Sequence, residues 1–283
     1  MATFYNQATL NIGNTSVSSN VTEGEITSRL AVTKTAATAS YRRGSLVTYV
    51  VTLTNSGLTD TPSLTLIDNL GEYSPIGDCT GIVPLNYVEG SLLYYVNGTE
   101  EEPPTVTTDG ALTVSGIVIP VGGNVTLIYT AEVNEFARLS LGSEITNTAT
   151  VYGCDEVSDS ATVTVSEQTD LSITKSLCPR TVGACGEITY TFIIVNNGNA
   201  PVVATDGLTV NDLFTPPLSD IEVTVNGSPI EEGTGYTYDA EMGEFATVSG
   251  ALSVPAATYS RDPETCAITS TPGFTTLTVR GNI

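Results

Sequence analysis

The sequence repeats itself at a spacing of 141 residues, and this repeat constrains the fold more than any other feature. Four positions of the first copy recur with the same residue type in the second, where Leu30, Lys34, Tyr49 and Asn55 match Leu171, Lys175, Tyr190 and Asn196. Later segments match as well, since LTLIDNL of the first copy resembles LTVNDLF of the second. Two copies of one unit predict two similar domains in tandem, which suits a length of 283 residues.

The repeated segments have the pattern of β-strands. β-Branched and aromatic residues alternate roughly with polar ones in four clear segments, at 46–54, 125–133, 188–195 and 275–279. Turns such as Asn97-Gly98 and Asn226-Gly227 favour hairpins, because a tight hairpin turn needs a positive φ. The sequence therefore predicts an all-β fold with two tandem immunoglobulin-like, Greek-key β-sandwich domains, at residues 29–166 and 167–283.

The second copy is predicted to lack its last strand. The first copy continues through a further strand at 145–151, and the second copy has no matching segment after 283. The beginning of the chain resembles that strand instead, because Asn6, Ala8 and Thr9 lie 141 positions before Asn147, Ala149 and Thr150. We therefore interpret residues 1–28 as a donor strand with its linker.

A sandwich that lacks a strand exposes an unpaired edge and part of its core. A strand from another copy of the chain is a known remedy, and such a head-to-tail contact generates an open filament. Alternatively, the segment folds back onto its own second domain or is a frayed end, although the linker at 13–28 is short for a fold-back. The predicted donor residues are Tyr5, Gln7, Ala8, Leu10 and Ile12.

The charge balance excludes several classes of function. Lys and Arg number 9 against 31 Asp and Glu, and the resulting formal charge of −22 repels nucleic acid and anionic lipid. Without any His, the chain lacks the commonest general base and imidazole ligand, so we expect no enzyme, no cofactor and no metal site. The start at Met1 has no basic or strongly apolar leader, which indicates a mature form or a protein exported without a secretory signal.

Five cysteines are candidates for disulfide bonds or for lateral cross-links. Their spacing does not match a zinc site, and an odd number leaves at least one thiol free or paired between chains. The two that lie close together in sequence could form a local disulfide in an oxidising environment, and the alternative for all five is the reduced form. The candidates are Cys79, Cys154, Cys178, Cys185 and Cys266.

The combined pattern resembles a known repeat family. Each copy opens on Leu-x-(Val/Ile)-Thr-Lys and carries a (Val/Ile)-Thr-Tyr strand, an Asn-x-Gly turn and a strand that ends near Asp, and the first copy closes on Asn-Thr-Ala-Thr-Val. This resembles the conserved-repeat family called domain of unknown function 11, which implies a bacterial surface protein. The second copy departs from the family where its closing strand should be. Members without a secretory signal resemble subunits of clostridial spore appendages.

One set of residues resembles the isopeptide cross-links of Gram-positive pilins and collagen-adhesin-type domains. In the first copy this set is Lys34, Asp68 and Asn147, in which the amine attacks the amide carbonyl, the carboxyl polarises that carbonyl, and ammonia leaves. A low dielectric favours the neutral forms of Lys and Asp that this reaction needs. The alternative is that these are ordinary strand-edge and turn residues.

The second copy repeats Lys175 and Asp212, and its Asn would be Asn6 of the neighbouring subunit. The sequence thus predicts a structural subunit that polymerises with itself, and possible further partners are other appendage or coat proteins. Its chemistry would be limited to a single autocatalytic turnover, and its place would be extracellular, on a spore or cell surface. The alternative is a surface adhesin or stalk that binds a host protein or glycan through its tyrosines, namely Tyr87, Tyr94, Tyr95, Tyr236 and Tyr238.

Overall fold

The computed structural model describes residues 2–26, 29–75, 77, 79–153 and 156–283, and their regular secondary structure is almost entirely β-strand. The helical structure among them is one 3-10 turn, Ala204–Asp206, so no helix in these ranges is long or apolar enough to cross a membrane. The chain divides into two compact units. The first contains the residues up to Asn134 together with Ile145–Val163, and the second contains Glu135–Glu144 and Thr164–Ile283.

The N-terminal residues form a β-hairpin in the structure. Its outer part pairs β1 with β4, and its tip pairs β2 with β3. The sequence predicts a linker at residues 13–28, whereas residues 15–18 and 22–26 are strands in the structure. The four strands are β1 (Ala2–Asn6), β2 (Thr9–Ile12), β3 (Thr15–Ser18) and β4 (Thr22–Ile26).

The first unit is a sandwich of two antiparallel sheets. One sheet has the order β11-β10-β14-β7-β5, with β9 also paired to β14, and the other has the order β12-β13-β8-β15-β16-β6. The strands are β5 (Leu30–Ala36), β6 (Ser40–Tyr41), β7 (Leu46–Asn55), β8 (Leu64–Asp68), β9 (Leu85–Tyr87), β10 (Leu93–Val96), β11 (Thr99–Glu101), β12 (Thr105–Thr108), β13 (Leu112–Ile117), β14 (Asn124–Val133), β15 (Glu144–Tyr152) and β16 (Val157–Val165).

Alternation along the central strands builds the core of this unit. In β7, every second residue from Val47 to Leu53 is fully buried, and β14 repeats this from Val125 to Val133. In β15, the buried residues are Ile145, Asn147, Ala149 and Val151, so this strand directs one amide into the interior among three apolar side chains. Burial of apolar side chains of this size stabilises a domain by roughly 1.5–3 kcal/mol per residue.

The second unit repeats the order of the first sheet, apart from β9. The order β21-β20-β26-β18-β17 corresponds to β11-β10-β14-β7-β5, and a second sheet has the order β19-β23-β22. The strands are β17 (Leu171–Cys178), β18 (Glu187–Asn196), β19 (Asn211–Leu213), β20 (Ser219–Val225), β21 (Ser228–Pro229), β22 (Tyr236–Asp239), β23 (Glu244–Thr247), β24 (Thr258–Arg261), β25 (Ile268–Thr271) and β26 (Gly273–Asn282).

The all-β, two-sandwich prediction is confirmed, and the second sheet of the second unit lacks more than the sequence predicts. Strands β22, β23 and β19 correspond to β12, β13 and β8. Among the described residues of the second unit, no strand corresponds to β15 or to β16, so a complete hairpin lacks a counterpart where the sequence predicts one missing strand. The boundary also differs, because residues 135–144 group with the second unit.

Candidate functional site

A buried ion pair lies between the two sheets of the first unit. Lys34 projects inward from edge strand β5, and its Nζ donates to Oδ2 of Asp68 at the end of β8. Neither side chain is exposed to solvent. The backbone N–H of Lys34 is also held, because it donates to Oδ2 of Asp159 on β16 at 2.7 Å. The hairpin β15–β16 therefore covers this lysine. We call the enclosed space around Lys34 and Asp68, between the two sheets, the chamber.

Asn147 lies in the same chamber and is joined to the ion pair through Tyr129. The Asn147 Nδ2 donates to the Tyr129 hydroxyl at 3.0 Å, and that hydroxyl donates to Asp68 Oδ2 at 2.5 Å. On the other side of the amide, the backbone N–H of Gly71 donates to Asn147 Oδ1 at 3.1 Å. The structure thus brings together the three residues of the first predicted set, and both ends of the amide are hydrogen-bonded.

Two tyrosine rings form a wall of the chamber. The Tyr49 and Tyr129 rings stack with centroids 5.6 Å apart, and Lys34 Nζ lies 4.9 Å from the Tyr49 centroid. Burial lowers the pKa of Lys34 to about 8, although the charge and hydrogen bond of Asp68 act in the opposite direction. Burial has the opposite effect on an acid and raises the pKa of Tyr129, so its hydroxyl keeps its proton at physiological pH. A substantial fraction of neutral amine is therefore available in this chamber near pH 7–8.

The second unit contains the same ion pair in an open setting. Lys175 on β17 donates to Asp212 Oδ2, but its side chain is 38% exposed. Its Nζ lies 4.6 Å from the centroid of Tyr190 and 5.3 Å from that of Phe214, so the aromatic wall is retained. Chemically, this site has an amine, a carboxylate and aromatic walls, and no described residue of the second unit takes the place of Asn147, because no strand there corresponds to β15.

An unoccupied face surrounds this open pair. Strand β19 pairs with β23 on one edge, and no described strand pairs with its other edge. Every residue of β17 is exposed, including the apolar Leu171, Ile173 and Leu177, which lie on the same side of the strand as Lys175. A groove of about 630 Å³ lies beside β19 and is lined by Asn211, Asp212, Leu213, Glu232, Thr237, Tyr238, Asp239, Glu244, Phe245 and Ala246. We call β17 and the free edge of β19 the acceptor face.

The predicted donor residues lie in the N-terminal hairpin, and all of them are exposed. Asn6 pairs with Thr22, and Leu10 pairs with Val17. Alternation places Phe4, Asn6, Ala8, Leu10 and Ile12 on one side of the first arm, and Tyr5 and Gln7 on the other. The exposure of Leu10 and Ile12, at 71% and 76%, is unusual for such apolar residues. We call this side of the hairpin the donor face.

The remaining candidates fall into three groups. Cys79 and Cys266 are each in a disulfide bond, whereas Cys178 and Cys185 are free and exposed, so the local disulfide that the sequence allows between them is not formed. Cys154 lies outside the described residues. The five tyrosines considered for adhesion belong to strands or flank the core, and Tyr94 and Tyr236 are buried rather than presented by loops.

Sequence reasoning missed Tyr129 and Gly71. Tyr129 lies in the middle of β14, in a run of alternating residues that is fully explained by core packing. Gly71 acts through its backbone N–H, which leaves no chemical signature in the sequence. Its φ of +76° and the 2.6 Å that would separate an added Cβ from the Ile145 side chain explain why glycine is required. A turn glycine directly after the Asp68 strand was the available signal.

No protein-family model matches this chain, and no curated protein matches it either. The resemblance to the family of domain of unknown function 11 therefore remains an expectation. Solved structures that match include the major pilin subunit BcpA of Bacillus cereus. The two sequences are 12% identical, the match covers 96% of this chain and 73% of that chain, and the TM-score is 0.38.

Two further matches are the pilus backbone RrgB of Streptococcus pneumoniae and the collagen-binding domain of RspB of Erysipelothrix rhusiopathiae. For RrgB the identity is 10%, over 87% of this chain and 55% of that chain, at a TM-score of 0.36. For RspB the identity is 14%, over 59% of this chain and 60% of that chain, at a TM-score of 0.29. The chain thus spans little more than half the length of these two structures.

Proposed function

We propose that this chain is the subunit of a head-to-tail fibre on a cell or spore surface. In this proposal, the donor face of one subunit docks on the acceptor face of the next and completes its second sandwich. The observation that carries the proposal is that the chain has one hairpin with an exposed apolar side and one sandwich without the corresponding hairpin.

The N-terminal hairpin has two antiparallel arms, as β15–β16 has, and its first arm resembles β15 in sequence. In the first unit, the hydroxyls of Thr146 and Thr162 meet across the two strands at 2.9 Å. Position 5 lies 141 residues before Thr146, and Tyr5 pairs with Glu23 of the second arm, whereas the register of Thr146 and Thr162 would place it opposite Val21. Phe4 then takes the place of buried Ile145, and its ring lies against Gly24 so closely that a Cβ there would be 2.3 Å from it.

The first unit also supplies the expected register of docking. Within it, Ala149 pairs with Asp68 and Thr150 pairs with Ile67. The same register in the second unit would set Ala8 of the donor opposite Asp212. Asn6 would then take the position of Asn147 and enter the space beside Lys175, while Leu10 and Ile12 would lose their contact with water. Burial of two such side chains contributes roughly 3–6 kcal/mol to association before its entropic costs.

Docking at this register also allows a covalent bond between subunits. Covering the Lys175–Asp212 pair would create the closed chamber that Lys34 and Asp68 already have, with the Asn6 amide as the third member. The Lys175 amine would attack the Asn6 carbonyl, and ammonia would leave, as proposed for Lys34 and Asn147 within the first unit. The disulfide-bonded state of Cys79 and Cys266 supports an oxidising, extracellular location.

The docking step is tested by changing the two sides of one donor strand separately. Leu10→Asp places a charge on the donor face, and Thr9→Asp adds the same charge to the other side. We expect negative-stain microscopy to show fibres for the unmodified chain and for Thr9→Asp, and dispersed subunits for Leu10→Asp. Fibres of normal length from Leu10→Asp would contradict the proposed docking.

The covalent step is tested with two asparagines of the same hairpin. After boiling in denaturant with reductant, we expect the unmodified chain and Asn11→Ala to give a ladder of multimers. Asn6→Ala should give the monomer, even where microscopy before boiling shows fibres. A ladder from Asn6→Ala would contradict the role of Asn6, and a monomer from every sample would exclude the bond between subunits while leaving docking intact.

A further inference from the structure

We propose that Tyr129 and the backbone N–H of Gly71 are catalytic groups of the Lys34–Asn147 cross-link, with Asp68 acting as a base for the lysine. This inference rests on the cross-link proposed above and changes its mechanism. In the pattern expected from the sequence, the aspartate carboxyl polarises the asparagine carbonyl. In the structure, the Asn147 carbonyl oxygen receives its hydrogen bond from Gly71 instead.

The contacts of Asp68 fit a carboxylate that accepts protons. Its Oδ2 accepts from Lys34 Nζ and from the Tyr129 hydroxyl, and its Oδ1 accepts from the backbone N–H of Leu70 at 3.1 Å. Oδ2 therefore lies between the lysine nitrogen and the Tyr129 hydroxyl, so one oxygen can take a proton from the first and return it to the second.

A continuous chain of hydrogen bonds, which we call the relay, connects the nucleophile to the leaving group. It runs from Lys34 Nζ to Asp68 Oδ2, from there to the Tyr129 hydroxyl, and from that hydroxyl to Asn147 Nδ2. The nitrogen at one end must lose a proton during the reaction, and the nitrogen at the other end must gain one. Tyr129 is the link that lets a single carboxylate serve both ends.

The reaction balances without any further reactant. Neutral Lys34 Nζ attacks Asn147 Cγ, and the negative charge that develops on Oδ1 is stabilised by the Gly71 N–H. The attacking nitrogen gives one proton to Asp68 as Tyr129 gives its own to Nδ2, and Tyr129 then recovers a proton from Asp68. The Cγ–Nδ2 bond breaks, ammonia leaves, and the new amide joins Nζ to Cγ. Asp68 and Tyr129 end in the states in which they began.

The chamber contains its own control residue, Tyr49. Its ring stacks on that of Tyr129 and lies closer to Lys34, and its buried hydroxyl makes no hydrogen bond of normal geometry among the described residues. Burial raises the pKa of Tyr49, and the nearby Asn147 amide acts in the opposite direction without joining Tyr49 to Asp68. Tyr→Phe changes at the two positions remove the same atom from the same chamber and keep both rings. The relay assigns a function to only one of these two hydroxyls.

The second unit has no hydroxyl at the position of Tyr129. Tyr129 pairs with Tyr49 across β14 and β7, and Val279 pairs with Tyr190 at the same place in β26 and β18. Val279 is fully buried and cannot transfer a proton. The cross-link within a subunit should therefore form faster than any cross-link at Lys175.

The test follows bond formation after refolding of the full chain, recovered unfolded from inclusion bodies and diluted from urea. Samples are stopped with acid and digested, and mass spectrometry measures the peptide that joins Lys34 to Asn147, lighter by one ammonia. Tyrosine fluorescence gives the folded fraction, to which each rate is normalised. We expect Tyr129→Phe to slow joining by about 100-fold or more, and Tyr49→Phe to leave the rate within about threefold of the unmodified chain.

Each other result contradicts the inference in a distinct way. Joining of Tyr129→Phe at the unmodified rate would exclude the relay and leave the cross-link itself in place. Equal slowing of both variants would show that the chamber needs its tyrosines for packing and not for proton transfer. An unmodified chain that keeps its full sequence mass would exclude the cross-link and the relay together.

Discussion

Lys34 and Lys175 lie at the same strand position of the two units, yet the first is closed off from solvent and the second is open to it. They are the two lysines of the chain, and each donates to an aspartate of the facing sheet, Asp68 on β8 and Asp212 on β19. The difference arises because β15 and β16 cover the first pair, while no described strand of the second unit covers the other.

This difference predicts unequal reactivity toward an amine-acylating reagent. In the Asn147→Ala chain, which cannot form the internal bond, Lys175 should be acylated more than about 100-fold faster than Lys34, because acylation of Lys34 requires opening of the first unit. Peptide mass spectrometry after short exposure measures both sites. Equal rates would show that the first chamber is open in solution. Slow acylation of Lys175 in fibres, with fast acylation in the dispersed subunit, would support its burial on docking.

The rate of the internal cross-link should depend on pH through the lysine. Because burial lowers the pKa of Lys34 to about 8, the neutral amine rises about tenfold per pH unit below that value and levels off above it. The refolding assay over pH 6–9 should reproduce this curve. A rate that is flat or falls with increasing pH would favour the alternative in which Asp68 must carry a proton.

The same pKa fixes the direction of a stability effect. Lys34 binds a proton up to about pH 8 in the folded Asn147→Ala chain and up to its ordinary value near 10.5 when unfolded. Between these values the unfolded state binds more protons, so the free energy of unfolding should rise with pH from about 8 to 10.5. The stability gained over this range is lost again as the pH falls from 10.5 through 8. Urea titrations at several pH values measure it.

Much of the fold follows from the sequence because the strand signals are local. Asn97-Gly98 and Asn226-Gly227 were predicted as hairpin turns, and in the structure all four residues have positive φ. The repeat likewise leads from Lys34 to Asp68 and Asn147. Tyr129 could not be found in this way, because only the packing of β14 against β15 gives its hydroxyl a role that differs from that of Tyr49.

The second arm of the N-terminal hairpin was missed for a different physical reason. The segments TSVS and TEGEI contain few apolar residues and lack clear alternation, so they were interpreted as linker. Their pairing depends on the first arm, which holds them through backbone hydrogen bonds between β1 and β4 and between β2 and β3. Such a strand can be identified only together with its partner.

A last prediction concerns Asn196, which fixes the corner after β18. Its Nδ2 donates to the backbone carbonyl of Ala200 at 2.8 Å, and its Oδ1 accepts from the N–H of Gly198 at 2.9 Å. Asn55 makes the equivalent bonds in the first unit, to the carbonyl of Thr59 and from the N–H of Gly57, both at 2.8 Å. This shared corner explains why an asparagine recurs 141 residues apart.

Asn196→Ala should lower the free energy of unfolding of the second unit by about 2–3 kcal/mol, since it leaves buried backbone groups without partners. The exposed neighbour supplies the control, because Asn197→Ala removes a side chain of the same type and should change stability by less than about 0.5 kcal/mol. Calorimetry of the full chain separates the two variants. Equal effects would show that the corner is held by its backbone alone, and the repeated asparagine would then need another explanation.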